Sequence, residues 1–224
     1  MMQYSFPYPA RVQSSVPTLH GLRHEPFVNI DGESFAKPAM NGFWRIEMRI
    51  IARDVQAQMA LSAFITAMSG AAECVVPICV QWRPNDGSAR PIPRPLVRGG
   101  VAPEYLFDHT GFANDPFDGF TLAAPAGHRD SYIDVSKPVL SQLWPGHFIS
   151  LGDRLHQVVD VSAIDEREDM IRVSLMPGVR GDYPEGEIVI VDQLRLRCRM
   201  ESGDQIGFGV ERMKGSELTF IEAF

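Results

Sequence analysis

Between Asp130 and Met200 the sequence is a succession of short apolar segments separated by turn residues. The segments with the length and pattern of β-strands are SYIDV, HFISL, RLHQVVDV, IRVSLM, EIVIV and LRLRCRM. Gly152 and Asp153 lie between the second and third segments, at the spacing of a two-residue hairpin turn. Closely spaced strands with no intervening helix are typical of a small barrel or sandwich. This part of the chain therefore predicts a small β-barrel.

The sequence before this region predicts a sheet with one helix. The segment FWRIEMRI alternates between apolar and charged side chains, which gives a strand with one buried face and one face carrying Arg45, Glu47 and Arg49. Asp54 is a suitable N-cap for the stretch VQAQMALSAFITAMSG, where apolar residues recur at helical spacing. The segment CVVPICVQW then indicates a strand that lies at a sheet edge or is bulged, because Pro77 has no amide donor.

We therefore expect an α+β protein that is predominantly β, with one amphipathic helix packed on a sheet and a small β-barrel inserted into it. Residues 1–125 and 201–224 form the first domain in this prediction, and residues 126–200 form the barrel. Residues 1–40 are rich in proline, glycine and histidine and have a weak apolar pattern, which predicts an extended N-terminal arm with one or two short strands.

The composition excludes some classes of partner. The 224 residues have a formal net charge of −7 and a pI of about 5.4, whereas a protein that binds nucleic-acid phosphates or an anionic membrane usually has the opposite sign. The N-terminus has no secretory pattern, and no apolar run is long enough to span a bilayer. The three cysteines are too few and too irregular for a disulfide framework. We expect no specific nucleic-acid partner, no membrane insertion, and synthesis in a reducing cytoplasm.

Familiar catalytic and nucleotide-binding motifs are absent from the sequence, so we predict no catalytic, cofactor or metal site. Some histidines and cysteines have ligand-like spacing, but loop and packing roles explain them better. The acidic residues of DHTGFANDPFDG are better explained as turn formers than as calcium ligands. The residues concerned are His20, His24, Cys74, Cys79, Asp108, Asp115 and Asp118.

The segment LRLRCRM places Arg195, Arg197 and Arg199 on one face of a strand, where phosphate could bind. Acidic residues elsewhere offer neutralisation through cross-strand pairs, namely Glu47, Asp192 and Glu201. We therefore predict a solvated or interface face rather than an anion site. With the charged strand above, the interface candidates are Arg45, Glu47, Arg49, Arg195, Arg197 and Arg199.

Arg180, Gly181 and Asp182 spell an adhesion tripeptide between two predicted strands. Turn residues surround it, with Pro177 before it and Pro184 after it. Because glycine and aspartate are the residues that such a connection needs, we interpret the tripeptide as a structural turn.

Several stretches resemble the distal tail and minor tail proteins of long-tailed phages and prophages. HFISLGDRLHQVVDV, IRVSLMPGVRGDYPEGEIVIV and LRLRCRM follow the family's order of a Gly-Asp hairpin, a strand, a Pro-x-x-Arg turn and an Arg- and Met-rich strand. GFWRIEMRIIARDVQAQMALSAFITAMSGAAECVVPI resembles the family's strand–helix–strand, and LTFIEAF resembles its C-terminal strand. Met176, Gly178 and Val179 depart from the family's turn, which often has an aromatic residue before the first proline and a second proline or leucine.

The resemblance implies a structural virion component, a ring-forming protein that joins the tail tube to the tip hub or fibres. Its implied partners are further copies of itself, the tail tube protein and the tip hub or fibre proteins. Its implied location is the virion tail, after assembly in the host cytoplasm, and no enzymatic activity is expected. We further expect residues 1–40 to cross to a neighbouring subunit or ring, and the face of Arg45, Glu47 and Arg49 to lie near a subunit contact or the lumen.

Two other classes of function remain as alternatives. A tail-associated cell-wall hydrolase would need paired carboxylates in a cleft, and the available acids are Asp108, Asp115, Asp118, Glu166 and Glu168. A carbohydrate-binding module would use exposed tryptophans as stacking platforms. Trp82 and Trp144 are candidates for that role, whereas Trp44 lies on the apolar face of its strand and is expected in the core.

Overall fold

The computed structural model describes residues 3–21, 27–28, 30–35, 42–68, 72–97, 109–164, 167–201 and 215–224. In chain order its elements are β1 (Gln3–Tyr4), β2 (Arg11–His20), β3 (Phe27–Val28), β4 (Ser34–Phe35), β5 (Phe43–Ile51), α1 (Val55–Ala67), β6 (Glu73–Pro77), β7 (Thr121–Leu122), β8 (Tyr132–Ser136), β9 (Phe148–Leu151), β10 (Arg154–Ala163), β11 (Met170–Met176), β12 (Val189–Ile190), β13 (Arg195–Met200) and β14 (Gly215–Glu222). These elements form a mixed sheet with one packed helix and a nearly closed, barrel-like antiparallel sheet. The prediction of a predominantly β α+β protein is confirmed.

The first sheet has six strands in the order β1-β6-β13-β14-β5-β2. The β1–β6 pair is parallel, and the other pairs are antiparallel. Strand β5 lies inside this sheet because its alternating pattern gives one apolar face, and Trp44, Ile46 and Met48 are buried. Helix α1 belongs to the same core, to which it contributes Leu61 and Phe64. The core formed by these residues lies on the face of the first sheet that carries helix α1.

Asp54 caps helix α1 as predicted. Its side chain accepts a hydrogen bond from the backbone N–H of Ala57 at 2.7 Å. The first turn has four amides with no partner inside the helix, so this bond satisfies one of them. Gly70, whose place after the apolar pattern predicts the end of the helix, lies outside the described residues.

Pro77 shows how the register of the first sheet accommodates a missing donor. The N–H of Ile78 donates to Leu194 O at 2.7 Å, so this pair is hydrogen-bonded and the next pair, Pro77–Arg195, is not. The nitrogen of Pro77 therefore faces away from β13, towards the side where β1 pairs only with Glu73 and Cys74. Pro77 therefore lies at a local edge of β6, where the strand needs no amide donor on that side.

The second sheet has six strands in the order β12-β9-β10-β11-β8-β7. Its outer strands approach each other: the N–H of Leu122 donates to Glu187 O at 2.9 Å, and the N–H of Val189 donates to Phe120 O at 2.8 Å. These bonds nearly close the sheet, which leaves few unpaired edge groups. Its interior is a second apolar core that includes Ile149, Val173 and Val189.

The β9–β10 hairpin contributes side chains to both cores. Leu151 pairs with Arg154, so Gly152 and Asp153 form the predicted two-residue turn, and Gly152 has the positive φ of +54° that favours glycine. Leu155 packs in the core of the first sheet, whereas Val158 packs in the core of the second. Alternate residues point to opposite faces of a strand, so this hairpin lies between the two cores.

Two expectations need correction. Strand β13 was predicted within the barrel, but it pairs with β6 and β14 in the first sheet, because its apolar face completes the first core. Residues 3–20 were predicted as part of an extended arm, with one or two short strands, that crosses to a neighbouring subunit or ring, but β1 and β2 pair with β6 and β5 in the first sheet of the same chain. The domain bounds at 125/126 and 200/201 otherwise stay a prediction, and the strands of the second sheet run from Thr121 to Ile190.

The remaining expectations concern the ends of the predicted arm and of the chain. Strands β3 and β4 form a separate two-stranded sheet. Residues 22–26, 36–41 and 202–214 lie outside the described ranges. Strand β14 itself pairs with β13 and β5.

We predict that Asp54→Ala lowers the free energy of unfolding by about 1 kcal/mol, because the first-turn amide of Ala57 loses its acceptor. Asp54→Ser is the matched control, since serine retains an acceptor at the N-cap. Urea unfolding followed by circular dichroism measures both. Equal stability of Asp54→Ala and the wild-type protein would contradict the capping role.

Candidate functional site

The most structured polar region lies where the β9–β10 hairpin meets the first sheet. We call this region the seam and define it by Trp44, Arg154, His156, Arg180 and Glu222. The indole Nε1 of Trp44 donates to Leu155 O at 2.7 Å, which ties β5 directly to β10. The backbone N–H of Trp44 donates to the Glu222 carboxylate at 3.1 Å. One residue of the first sheet therefore binds both the hairpin and the central acid.

Glu222 is a fully buried carboxylate, with 0% of its surface exposed. It continues the inward-facing series of Leu218 and Phe220 on β14, so the sheet register places it inside. Its Oε1 lies 3.6 Å from Arg180 Nε and 3.8 Å from Arg154 Nη1. Burial raises the pKa of Glu222, and the two guanidinium groups oppose that rise.

Arg180 brings the turn after β11 to the first sheet. Its side chain is only 11% exposed, and it donates a hydrogen bond to Gly42 O. Its guanidinium also lies 4.9 Å from the ring centre of Phe224, a cation–π contact. Burial lowers the pKa of Arg180, and Glu222 opposes this. Arg180, the first residue of the adhesion tripeptide, is therefore a packing residue that is not accessible to a receptor.

The other two residues of the tripeptide also have local roles. Asp182 accepts a hydrogen bond from the backbone N–H of His128 at 2.9 Å. Gly181 lacks the positive φ that its sequence context suggested, and an added methyl group would meet Tyr183 at an ordinary 3.4 Å. The geometry agrees with a structural turn, although glycine is not required there for its φ.

His156 lies next to the two arginines and is fully buried. Its Nδ1 carries the proton, because it is 2.9 Å from Pro177 O and a carbonyl only accepts. Burial lowers its pKa to about 4, and the charges of Arg180 and Arg154 add to that effect. Nε2 has no hydrogen-bond partner among the described residues. The imidazole is therefore neutral at ordinary pH and joins β10 to the Pro177 turn.

A second group of charges lies at the tip of the hairpin. Asp153 accepts from Arg197 Nη2 at 3.2 Å and lies 4.0 Å from Arg195 Nη1 and 3.8 Å from His109 Nε2. The backbone N–H of Arg197 also donates to Asp153 O at 2.8 Å. Two predicted interface candidates, Arg195 and Arg197, therefore face the second sheet of the same chain.

The expected neutralising acids act elsewhere. Glu47 and Glu201 both pair with Arg45, at 2.9 Å and 3.0 Å. The hydrogen bonds that Arg45 donates to the Glu201 carboxylate raise the pKa of Arg45. Asp192 accepts the backbone N–H groups of Phe117 and Gln193 instead of pairing with the arginines of β13.

The remaining interface candidates lie on the open face of the first sheet. Arg49 and Arg199 are exposed, and neither forms an ion pair within the described ranges. The structure therefore separates the six candidates into two sets. Arg45, Glu47, Arg49 and Arg199 belong to the open face, whereas Arg195 and Arg197 belong to the junction between the sheets.

Residues with ligand-like spacing do not assemble into a metal site in the described part of the chain. The ring of His20 stacks on Phe43 at 5.9 Å. Cys74 and Cys198 are free, buried and opposite each other across β6 and β13, and burial raises the pKa of both thiols. Buried neutral thiols of this kind are unreactive packing groups. His24, Asp108 and Glu166 lie outside the described residues.

The three tryptophans have different environments. Trp44 is buried, as expected. Trp82 is 79% exposed and Trp144 is 60% exposed. Trp144 forms part of the wall of a pocket of about 310 Å³ on the second sheet, whereas Trp82 does not line it.

Helices among the described residues are too short or too polar to cross a membrane. A scan against models of protein families finds no match. A search of curated proteins finds no significantly similar sequence.

Sequence reasoning missed the seam because its members are far apart in the chain. Glu222 had a usable signal, since it occupies an inward-facing position two residues after Phe220. A buried carboxylate needs a cation beside it, so its position predicts that an arginine side chain is also buried there. Neither Arg154 nor Arg180 could be selected from among the chain's arginines without knowing how the hairpin folds back on the first sheet. Asp153 was identified only as a turn residue.

We predict that His156 makes the protein less stable as pH falls from 6.5 to 4. Its pKa is about 4 in the folded protein and 6.5 when unfolded, so the unfolded state binds the proton more readily in this window. The stabilisation is complete above pH 6.5 and is lost as pH falls, by up to roughly 3 kcal/mol. Urea unfolding of the wild-type protein and of His156→Gln at several pH values measures the difference.

The difference between the two proteins isolates His156, because the raised pKa of Glu222 acts in the opposite direction in both. His128→Gln is the matched control, since it makes the same substitution at an exposed histidine outside the seam. A wild-type curve parallel to that of His156→Gln between pH 6.5 and 4 would contradict the assignment.

Proposed function

We propose that this chain is a structural, ring-forming protein of a phage tail, located at the distal end where the tube joins the tip hub or fibres. The observation that supports this proposal most is the form of the first sheet. One face carries the core and helix α1, while the opposite face carries charged residues. The sheet also has two unlike edges, β1 and β2.

The charged face is suited to a water-filled lumen. Arg45 is held between Glu47 and Glu201, so its charge is balanced within the sheet. Arg49 and Arg199 project from the same face without an ion partner in the described ranges. A face of hydrated charges gains little from dry contact with another protein, because the cost of removing water from the charges offsets their attraction to a partner.

The unlike edges favour head-to-tail contacts between copies. Strand β2 is ten residues long and pairs only with β5, whereas the opposite edge is formed by the two residues of β1. Contacts between unlike surfaces close into rings when the rotation between copies permits. Pro17 and the bulge between Val12 and Ser14 restrict pairing along β2, so a neighbour would meet only part of this edge.

The seam supports a structural role for the same chain. A ring subunit must hold its surfaces in a fixed relation, and Glu222, Arg154 and Arg180 link the two sheets by buried charges. The side chains of Glu222 and the two arginines are buried against each other between the sheets, which favours a structural role for these charges. In this proposal the second sheet projects from the ring towards tube, hub or fibre proteins, and the chain assembles in the host cytoplasm before it becomes part of the virion tail.

We predict that Gln3→Cys/Thr18→Cys becomes cross-linked into a ladder of covalent multimers in assembled particles. Gln3 and Thr18 are exposed and lie in the same row across the first sheet, at its opposite edges. Neighbouring copies joined edge to edge bring the two thiols together. Mild oxidation followed by non-reducing electrophoresis measures the ladder, and gold-labelled antibody locates the chain by electron microscopy.

Gln3→Cys/Arg90→Cys is the matched control, because Arg90 is exposed but does not belong to any strand of the first sheet. It should give no ladder. Gold label absent from the distal tail would overturn the proposed location. A ring in the micrographs without a ladder for Gln3→Cys/Thr18→Cys would overturn the edge-to-edge contact.

A further inference from the structure

The second sheet carries an open pocket of about 310 Å³ on the side of the loop that joins β8 to β9. Apolar side chains provide most of its surface, and two polar side chains lie beside them. The residues on which the argument depends are Lys137, Gln142, Leu143, Trp144, Pro145 and Val161.

Trp144 is displayed by a tight turn. The N–H of His147 donates to Trp144 O at 3.0 Å, with Pro145 and Gly146 between them. Gly146 has a φ of +94°, so proline followed by a left-handed glycine gives a type II turn. The backbone N–H of Trp144 donates to the imidazole Nδ1 of His147 at 3.1 Å. These bonds fix the backbone that carries the indole, and Trp144 is 60% exposed.

The rest of the loop is also anchored before any ligand arrives. Ser141 is fully buried, and its hydroxyl donates to Asn85 O at 2.5 Å. The N–H of Gly146 donates to Val158 O, and the N–H of Val158 donates to His147 O, both at 2.8 Å. A pocket held this firmly loses little conformational entropy when it binds a ligand.

We infer that this pocket binds a pyranose unit of a polysaccharide. A pyranose ring has an apolar C–H face that can stack on the Trp144 indole, and hydroxyl groups around its rim. The carboxamide of Gln142 has no hydrogen-bond partner among the described residues, so both its donors and its acceptor are available to hydroxyls. Leu143 and Val161 provide the apolar floor below the ring.

Lys137 selects for units that carry an acidic group. Its ammonium donates to Val139 O at 3.1 Å, which leaves two of its three donors for a ligand. It forms no ion pair within the described ranges, in a chain whose net charge is −7. A carboxylate on the sugar would supply the missing partner, with a stronger hydrogen bond than a hydroxyl gives.

A protein side chain is the main rival occupant. Val139 and Leu140 are exposed on the same loop, and exposed apolar side chains are typical of surfaces that bind another protein. The pocket itself favours the sugar, because a flat exposed indole is paired with two side chains that have free hydrogen-bonding groups. The inference does not depend on the proposed role in a ring, because all the residues that line the pocket belong to β10, β11 and the loop that joins β8 to β9.

The test measures binding of two probes by isothermal calorimetry, a tetrasaccharide of galacturonic acid and the neutral tetrasaccharide of glucose. We predict that the wild-type protein binds both and prefers the acidic probe. Trp144→Ala should weaken both affinities by at least about ten-fold, because the stacking surface is removed. Lys137→Gln should abolish the preference for the acidic probe but retain binding of the neutral one.

Trp82→Ala is the matched control, since Trp82 is exposed but does not line the pocket, and it should leave both affinities unchanged. The thermal midpoint of each variant shows that it is folded. Absence of binding of both probes by the wild-type protein would overturn the inference. Loss of binding in Trp82→Ala but not in Trp144→Ala would overturn the assigned location. A Trp144→Ala defect confined to particle assembly would identify the pocket as a protein contact instead.

Discussion

The interaction on which the architecture depends is the buried contact between Glu222 and two arginines from another part of the fold. Arg154 begins the hairpin strand β10, and Arg180 belongs to the turn after β11, while Glu222 ends the last strand of the first sheet. A buried carboxylate without a cation is costly, so the second sheet must stay docked for the first to keep its acid inside. Trp44 reinforces the contact by binding both Glu222 and the hairpin backbone.

This constraint explains how the two sheets divide the surface. The hairpin occupies one end of the first sheet, and Asp153 there engages Arg195 and Arg197. The open face at the other end keeps Arg45 and its acidic neighbours for solvent or for a lumen. The residues that line the pocket beside Trp144 belong to the second sheet and its β8–β9 loop, and none of them is a residue of the first sheet. One chain can therefore offer an assembly surface and a separate ligand surface without conflict between them.

Local pattern was enough to predict most strands, the helix and its cap, because alternation and capping depend on neighbouring residues. Strand β13 was placed in the wrong sheet because the same alternation suits either sheet, and only pairing with β6 decides. The seam escaped prediction for a related reason: Arg154 and Glu222 are distant in the chain, and each alone looks like an ordinary strand residue. Trp44 was predictable as core, but its bond to Leu155 required the fold.

Hydrogen exchange during urea unfolding tests most directly whether the seam joins the two sheets into one cooperative unit. In the wild-type protein, peptides from β5 and β14 should lose protection at the same urea concentration as peptides from β9 to β11. In Glu222→Ala the two guanidinium groups lose their acid, which should cost roughly 3–5 kcal/mol and separate the two transitions. Glu222→Gln, which retains an acceptor for Trp44, should lose less. Separate transitions in the wild-type protein, or a Glu222→Ala variant as stable as wild type, would contradict the account.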